Sequence, residues 1–345
     1  MRKTVARLVA VALLAAACSP SESADSTASS SSTSTSTSST STSTTSTTLE
    51  AKETSLVNGL EVDDPTLLDR RVMAVKIDNH PRARPQSGLH QADMVIEMLV
   101  EGITRMISIW HESDIDFLGP NRSGRPTDAN LLPAFNHPTF TISGGQAWVQ
   151  NMITGNGVNL IKELSEGTFR ISSRSAPHNL YVDTFVLRET ADEREYENDP
   201  PTGPVWTFGE MPATASPASS VDIAFGRNEV VWEWDQAEGV WLRTADGRES
   251  NSLDEDGNAV QIGFPVLVAL YTDQYSENGL PSSKVTGSGR AFVFADGKYV
   301  EGTWERDSIE EWFTLLDENG NVMLVPPGES WVSLVPSNSG LTISE

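Results

Sequence analysis

Three short stretches concentrate the residues able to bind a ligand or move protons. The first is IDNHPRARPQSG (77–88), where Asp78, Asn79 and His80 precede Arg82 and Arg84 between prolines, with Gln86 and Ser87 following. The second is GPNRSGRPTD (119–128), with Arg122, Ser123, Arg125 and Asp128. The third is SRSAPHNLYVD (173–183), with Arg174, His178, Asn179 and Tyr181. Arginine presents a planar fork that holds carboxylate or phosphate through paired hydrogen bonds. Imidazole, amide and hydroxyl groups supply the donors and acceptors that orient such an anion. The chemistry these types suggest is recognition of an anionic, polar ligand by Arg82, Arg84, Arg122 and Arg125, with Arg105 on a nearby strand. Glu97 and Glu101, at the end of the strand before it, are the carboxylates placed for acid–base work.

Local charge sets this region apart. From Arg70 to Arg125 eight Lys or Arg face seven Asp or Glu, in a chain whose net charge is −24. Two readings stay open. The arginines tie together neighbouring carboxylates, or they grip one anionic ligand. The acidity of the whole excludes nucleic acid as a partner, since its binders carry a basic footprint. It also excludes a polybasic hold on anionic lipid and is first a matter of solubility.

Enzyme signatures are sparse. The chain holds no G-x-S-x-G elbow, no H-E-x-x-H pair and no phosphate-binding lysine loop. Histidines at 80, 90, 111, 137 and 178 lack metal-ligand spacing, and no metal or cofactor is expected. DEDGN (254–258) and DENGN (317–321) lack the spacing of a calcium loop and stand where hairpin turns belong. Cys18 is the one cysteine, so no internal disulfide can form and no other thiol exists for catalysis. Acid–base chemistry by Glu97, by Glu101, or by His80 paired with His178 is the enzymatic alternative.

The elements that must position these residues follow from composition and pattern. MRKTVARLVAVALLAAAC opens with Arg2, Lys3 and Arg7 and continues with an uncharged apolar run at 8–17, too short to span a bilayer. It is the pattern of a secretory signal over 1–17. Leu13-Leu14, three alanines and Cys18 resemble a bacterial lipobox. The resemblance implies a lipid on Cys18 as membrane anchor and an extracytoplasmic location. Residues 18–55, mostly Ser and Thr, form a disordered tether.

Beyond the tether, 56–187 reads as an α/β or α+β N-terminal domain. Its strands are VMAVKID (72–78), ADMVIEML (92–99), RMISIWHE (105–112) and PTFTISG (138–144); its helices are LLPAFN, AWVQNMITG and 182–195. Residues 188–220 read as an acidic, then Pro-, Ala- and Ser-rich linker or surface loop. Residues 221–336 read as a mainly β C-terminal domain built of hairpins, with 337–345 as a tail. There VVWEWD (230–235) pairs with VWLRTADG (240–247), FPVLVALYTD (264–273) is a central strand, and Asp296-Gly297 turns AFVFADGKYVEGTWE on itself. TLLDENGNVMLVPPGESWVSLVP (314–336) is expected to repeat that hairpin around Asn319-Gly320. Trp232, Trp234, Trp241, Trp304 and Trp331 are assigned to core and cross-strand pairs rather than to a sugar platform.

The long stretch VMAVKIDNHPRARPQSGLHQADMVIEMLVEGITRMISIW, with GPNRSGRP and SAPHNLYVDT, resembles the N-terminal domain of the YerB-like bacterial lipoproteins. GSGRAFVFADGKYVEGTWER with PPGESWVSLVP is similar to their C-terminal domain, and the likeness spans most of 56–336. The family is one of unknown function, so the resemblance implies architecture and location but no activity. Its usual forms run closer to EGGITR and GPVRSARP. Here a Gly is missing before Ile103, and Asn121 and Gly124 replace an aliphatic residue and Ala, while Arg122 and Arg125 are kept. The reading is a tethered envelope lipoprotein that binds, without catalysis, an anionic cell-wall polymer or an envelope protein. A purely structural interaction protein is the other alternative.

Overall fold

The computed structural model describes residues 52–345. The signal segment, Cys18 and nearly all of the tether lie outside the described residues. Ten strands in chain order form the path of the main sheet. They are β1 (Met73–Ile77), β2 (Met94–Val100), β3 (Ile103–Trp110), β4 (Thr139–Ile142), β5 (Asn159–Lys162), β6 (Val266–Thr272), β7 (Gly287–Ala295), β8 (Lys298–Arg306), β9 (Thr314–Leu316) and β10 (Ser330–Pro336). Their spatial order is β9-β8-β7-β6-β10-β2-β3-β1-β4-β5, with Ser216–Pro217 pairing beside β8 as an eleventh strand.

The two halves read from the sequence therefore share one sheet. β10 runs parallel to β6 on one side and to β2 on the other, with Ser330 opposite Met94 and Leu334 opposite Met98. The described residues, 52–345, pack as one compact unit. Every residue of β10 is buried, as a strand covered on both faces requires. This corrects the expected hairpin at 314–336. Leu316 meets Val322 in an isolated bridge, but Pro326, Pro327 and Gly328 end that excursion. SWVSLVP, apolar on both faces, enters the middle of the sheet instead.

A second sheet covers one face. It comprises Ser220–Phe225, Asn228–Asp235, Val240–Ala245, Arg248–Glu249, Gly263–Phe264 and Leu341–Ser344. Residues 337–345, expected as a tail, thus supply a strand that pairs with Ser220–Ile223. Trp232 meets Trp331 edge-on at 5.2 Å and Trp241 meets Phe294 at 5.8 Å between the sheets. Trp232, Trp241, Trp304 and Trp331 are all buried, the core role expected of them. On the other face lie α1 (Pro126–Leu131) and α2 (Ala147–Gly155), packed over Ala74, Ile96 and Ile107. A third helix, α3 (Thr184–Glu193), begins at Asp183, whose carboxylate accepts from the Val186 amide at 3.1 Å.

Of the stretch 188–220, residues 188–193 complete α3 and the remainder is laid across the fold as a strap. Val205 and Trp206 are buried in the helical-side core, the Val205 amide donates to Leu56 O, and the Gly209 amide donates to Val325 O.

Candidate functional site

Backbone pairing brings the three polar loops together at the end of β1. The Asp78 amide donates to Pro120 O, the Arg122 amide to Lys76 O and the Asn121 amide to Leu180 O. Arg174 clasps the first loop by donating to Ala83 O at 2.6 Å and Pro85 O at 2.5 Å. Asp78 stands at the centre with no exposed surface. One of its oxygens accepts from the His80 amide at 3.0 Å, and the other lies 2.7 Å from His178 Nδ1. An ionised carboxylate only accepts, so Nδ1 is the donor in that contact. The His80 ring stacks on His178, centroids 4.5 Å apart. His80 Nδ1 accepts from the Arg82 amide at 3.1 Å, which fixes the rigid loop. Burial, and then the His178 ring, hold His80 below its ordinary value.

Arg122 lies beside this pair. Its Nε is 3.5 Å from Asp78 Oδ2, too long for a strong hydrogen bond, and has no other partner among the described residues. The side chain keeps 20 % of its surface exposed. Arg105 and Arg125 adjoin it and converge on Glu101, at 3.5 and 2.8 Å. Arg125 also donates to Gly124 O at 2.9 Å, while its amide donates to Asp128 and opens α1. Asp128 in turn pairs with the fully buried Lys76 at 2.6 Å. Burial pushes Lys76 down to about 8, against the opposing pull of Asp128. Burial, then Arg125 and Arg122, bring Arg105 down to about 10. Four cations, Lys76, Arg105, Arg122 and Arg125, thus face three carboxylates, Asp78, Glu101 and Asp128. Ser123 Oγ and Ser143 Oγ lie 3.4 Å apart on the adjoining loops.

Other candidates are built into the scaffold. Glu97 is fully buried on the side of the second sheet, where Arg243 donates to it at 2.7 Å, Thr104 at 2.6 Å and Trp331 Nε1 at 3.0 Å. It belongs to the core and not to an open site. Asn79 Nδ2 donates to Thr104, and Asn79 Oδ1 accepts from Arg84 Nε and Gln86 Nε2. Arg84 also reaches Asp246 at 3.1 Å. Asn179 accepts from Arg170 and donates to Ile171 O. Tyr181 is buried and stacks on Phe117 at 4.6 Å. Arg82 is exposed. The loops therefore split. Asp78, His80, Arg122 and His178 face one another, whereas Asn79, Arg84, Gln86, Asn179 and Tyr181 hold the loops in place.

Sequence reasoning missed Lys76 and Arg243. Arg243 left a signal. Trp241, Arg243 and Ala245 share the inward parity of their strand, so a charge there has to be buried and paired. Lys76, centred in the apolar run of β1, carried the same signal.

Comparison with known proteins agrees with this architecture. A protein of Bacillus subtilis (strain 168) named "Putative lipoprotein YerB" is 25 % identical over 297 residues, covering 84 % of this chain and 88 % of that one. The crystal structure of the YerB protein from Bacillus subtilis matches with a TM-score of 0.74 at 24 % identity, over 84 % of this chain and 100 % of that one. Residues 57–197 match the N-terminal domain, and residues 221–332 the C-terminal domain, of a family described as protein of unknown function (DUF3048). The chain belongs to the DUF3048 family.

Proposed function

We propose that this is an extracytoplasmic lipoprotein, anchored by a lipid on Cys18, that binds an anionic polymer or partner of the cell envelope at the Arg122–His178 cluster. The lipobox-like run before Cys18 and the lipoprotein name of the Bacillus subtilis relative support the anchor. Among the described residues no helix is long and apolar enough to cross a membrane.

The observation that carries the ligand class is Arg122. Its side chain is 20 % exposed and makes no hydrogen bond among the described residues, its buried Nε having only Asp78 at 3.5 Å, and it is set beside the Asp78-oriented His178 in a chain of net charge −24. Arg105 and Arg125 are neutralised in part by Glu101 and reinforce the positive field behind it. A phosphate- or carboxylate-bearing polymer, such as a teichoic-type chain or a peptide stem of the wall, supplies the acceptors this cluster lacks. The test is binding of the folded protein to purified wall fractions. Arg122→Ala is expected to weaken it about ten- to a hundredfold, the loss of one charge-assisted contact. Equal binding by wild type and variant rejects the reading.

The Asp78–His178 contact favours one second reading, acid–base cleavage of the same polymer by the imidazole pair. Soluble fragments released from wall by the wild type, and not by His178→Ala, would put cleavage in place of binding.

A further inference from the structure

Two clefts lie apart from the Arg122 cluster, along the 202–216 strap. One of about 660 Å³ runs between Thr202–Thr207 and Asp307–Leu315; the other, of about 610 Å³, runs between Glu210–Ser216 and Asp317–Leu324. They share Val322 and Met323, so they adjoin. Asp307, Glu310 and Glu311 line the first, and Glu210, Glu301, Asp317 and Glu318 line the second. Among the described residues no Lys, Arg or His lines either one.

Between these carboxylates the walls also carry exposed apolar side chains and incompletely satisfied groups. Val322 and Leu324 are exposed at 49 % and 40 %. Trp206 and Trp312 meet edge-on at 5.6 Å on the wall of the first cleft, and neither indole N–H has a hydrogen-bond partner. Trp206 is only 3 % exposed. Trp232 and Trp241 also have unpaired N–H groups, but both sit in the closed core between the sheets. An occupant of the groove must be extended, cationic and apolar in part, and must offer acceptors to the two indoles. An anionic polymer is repelled. Glu301 is already paired with Arg290 at 2.7 Å, and a neutral glycan would leave the other six carboxylates without an ion-pair partner.

We infer that this groove docks a basic polypeptide segment of an envelope partner in extended form. Its Lys or Arg side chains meet the carboxylates and the tryptophan faces, its carbonyls take the indole protons, and its apolar residues cover Val322 and Leu324. The surface is separate from the anion cluster, so one chain can bridge an anionic polymer and a basic protein.

The experiment titrates the folded chain with a lysine–leucine decapeptide and follows the indole N–H resonances. A decapeptide in which glutamate replaces lysine and a chitotetraose serve as comparison probes. Saturable shifts of the Trp206 and Trp312 signals with the basic peptide alone are expected. Glu310→Gln with Glu311→Gln, both exposed, should weaken binding roughly three- to tenfold. Glu249→Gln with Glu255→Gln, outside the groove, should leave it unchanged. Trp312→Phe, which keeps a ring and removes the N–H, should weaken it without altering the melting temperature. Equal weakening by both charge pairs would reduce the effect to bulk acidity and overturn the proposal. Shifts of the same indoles by the saccharide and not by the basic peptide would overturn it in favour of a glycan groove.

Discussion

Replacing Arg243 by Met tests how the two sequence halves are joined. Arg243 is 2 % exposed, comes from the second sheet, and donates to Glu97 on β2 at 2.7 Å and to Ser250 at 2.7 Å. Its guanidinium lies 5.1 Å from the Trp331 ring. Met keeps most of the aliphatic volume, so the main loss is the counter-charge of a fully buried carboxylate. Breaking such a pair from one side costs about 3–5 kcal/mol. For a unit of this size that corresponds to a drop of roughly 6–20 °C in melting temperature. Removing both charges, with Glu97→Leu added to Arg243→Met, should recover most of the loss. A residue of about 1–2 kcal/mol should remain, because Thr104 and Trp331 lose their acceptor. Urea unfolding followed by near- and far-ultraviolet circular dichroism measures both variants, and the double-mutant cycle isolates the pair. Both probes should report one transition, because β2 and β10 are neighbours in one sheet. The chain Glu97–Thr104–Asn79–Arg84 also predicts that Arg243→Met loosens the loop at Asp78 and weakens anion binding. A cost below about 1 kcal/mol, or strict additivity in the cycle, would refute this account of the buried pair.

Three further outcomes are expected. Arg122→Ala should leave stability within about 0.5 kcal/mol of wild type while reducing wall binding, because its Nε has no hydrogen bond to lose and its ionic contact with Asp78 is long, at 3.5 Å; a large stability loss would make Arg122 structural. His80 is held below its ordinary value, so protonating it opposes folding, and stability should fall as pH drops below about 6.5. A bound anion favours the imidazolium, so affinity should rise over the same descent, and histidine-resolved NMR titration with and without inorganic phosphate checks both signs. Gly289→Ala would place a Cβ 2.4 Å from Tyr271 O and 2.6 Å from Trp304 Nε1, where Trp304 donates to Tyr271 at 2.8 Å. Backbone cannot yield as a flexible side chain does, so a cost of about 1–3 kcal/mol or more is expected, read as a lowered urea midpoint.

The chain's local elements were legible from pattern alone. The apolar runs of β1 to β4 and β6, the Asp296-Gly297 turn with both residues at positive φ, and the helices at 147–155 and 184–193 stand where residue types placed them, whereas the helix expected at LLPAFN begins earlier, at Pro126, and LLPAFN itself is mostly a 3-10 turn. Period and turn chemistry are short-range properties, carried by neighbours in sequence. The three polar stretches were legible for the same reason, since arginine, histidine and proline declare their chemistry wherever they stand.

Pairing between distant strands was not legible. β10 carries hydrophobic residues on both faces, which predicts a buried strand but not that β2, more than two hundred residues earlier, is its neighbour. The same limit governed the site. Glu97 and Arg122 are equally polar letters, yet one is sealed beneath Trp331 and Arg243 while the other keeps a nitrogen without a partner. Sequence by itself determined the types of group available, the positions of strand, turn and helix, and a cationic island in an acidic chain. Only the tertiary structure decided which arginines were neutralised, because a charge is satisfied or left open by what the fold brings within about 3 Å of it.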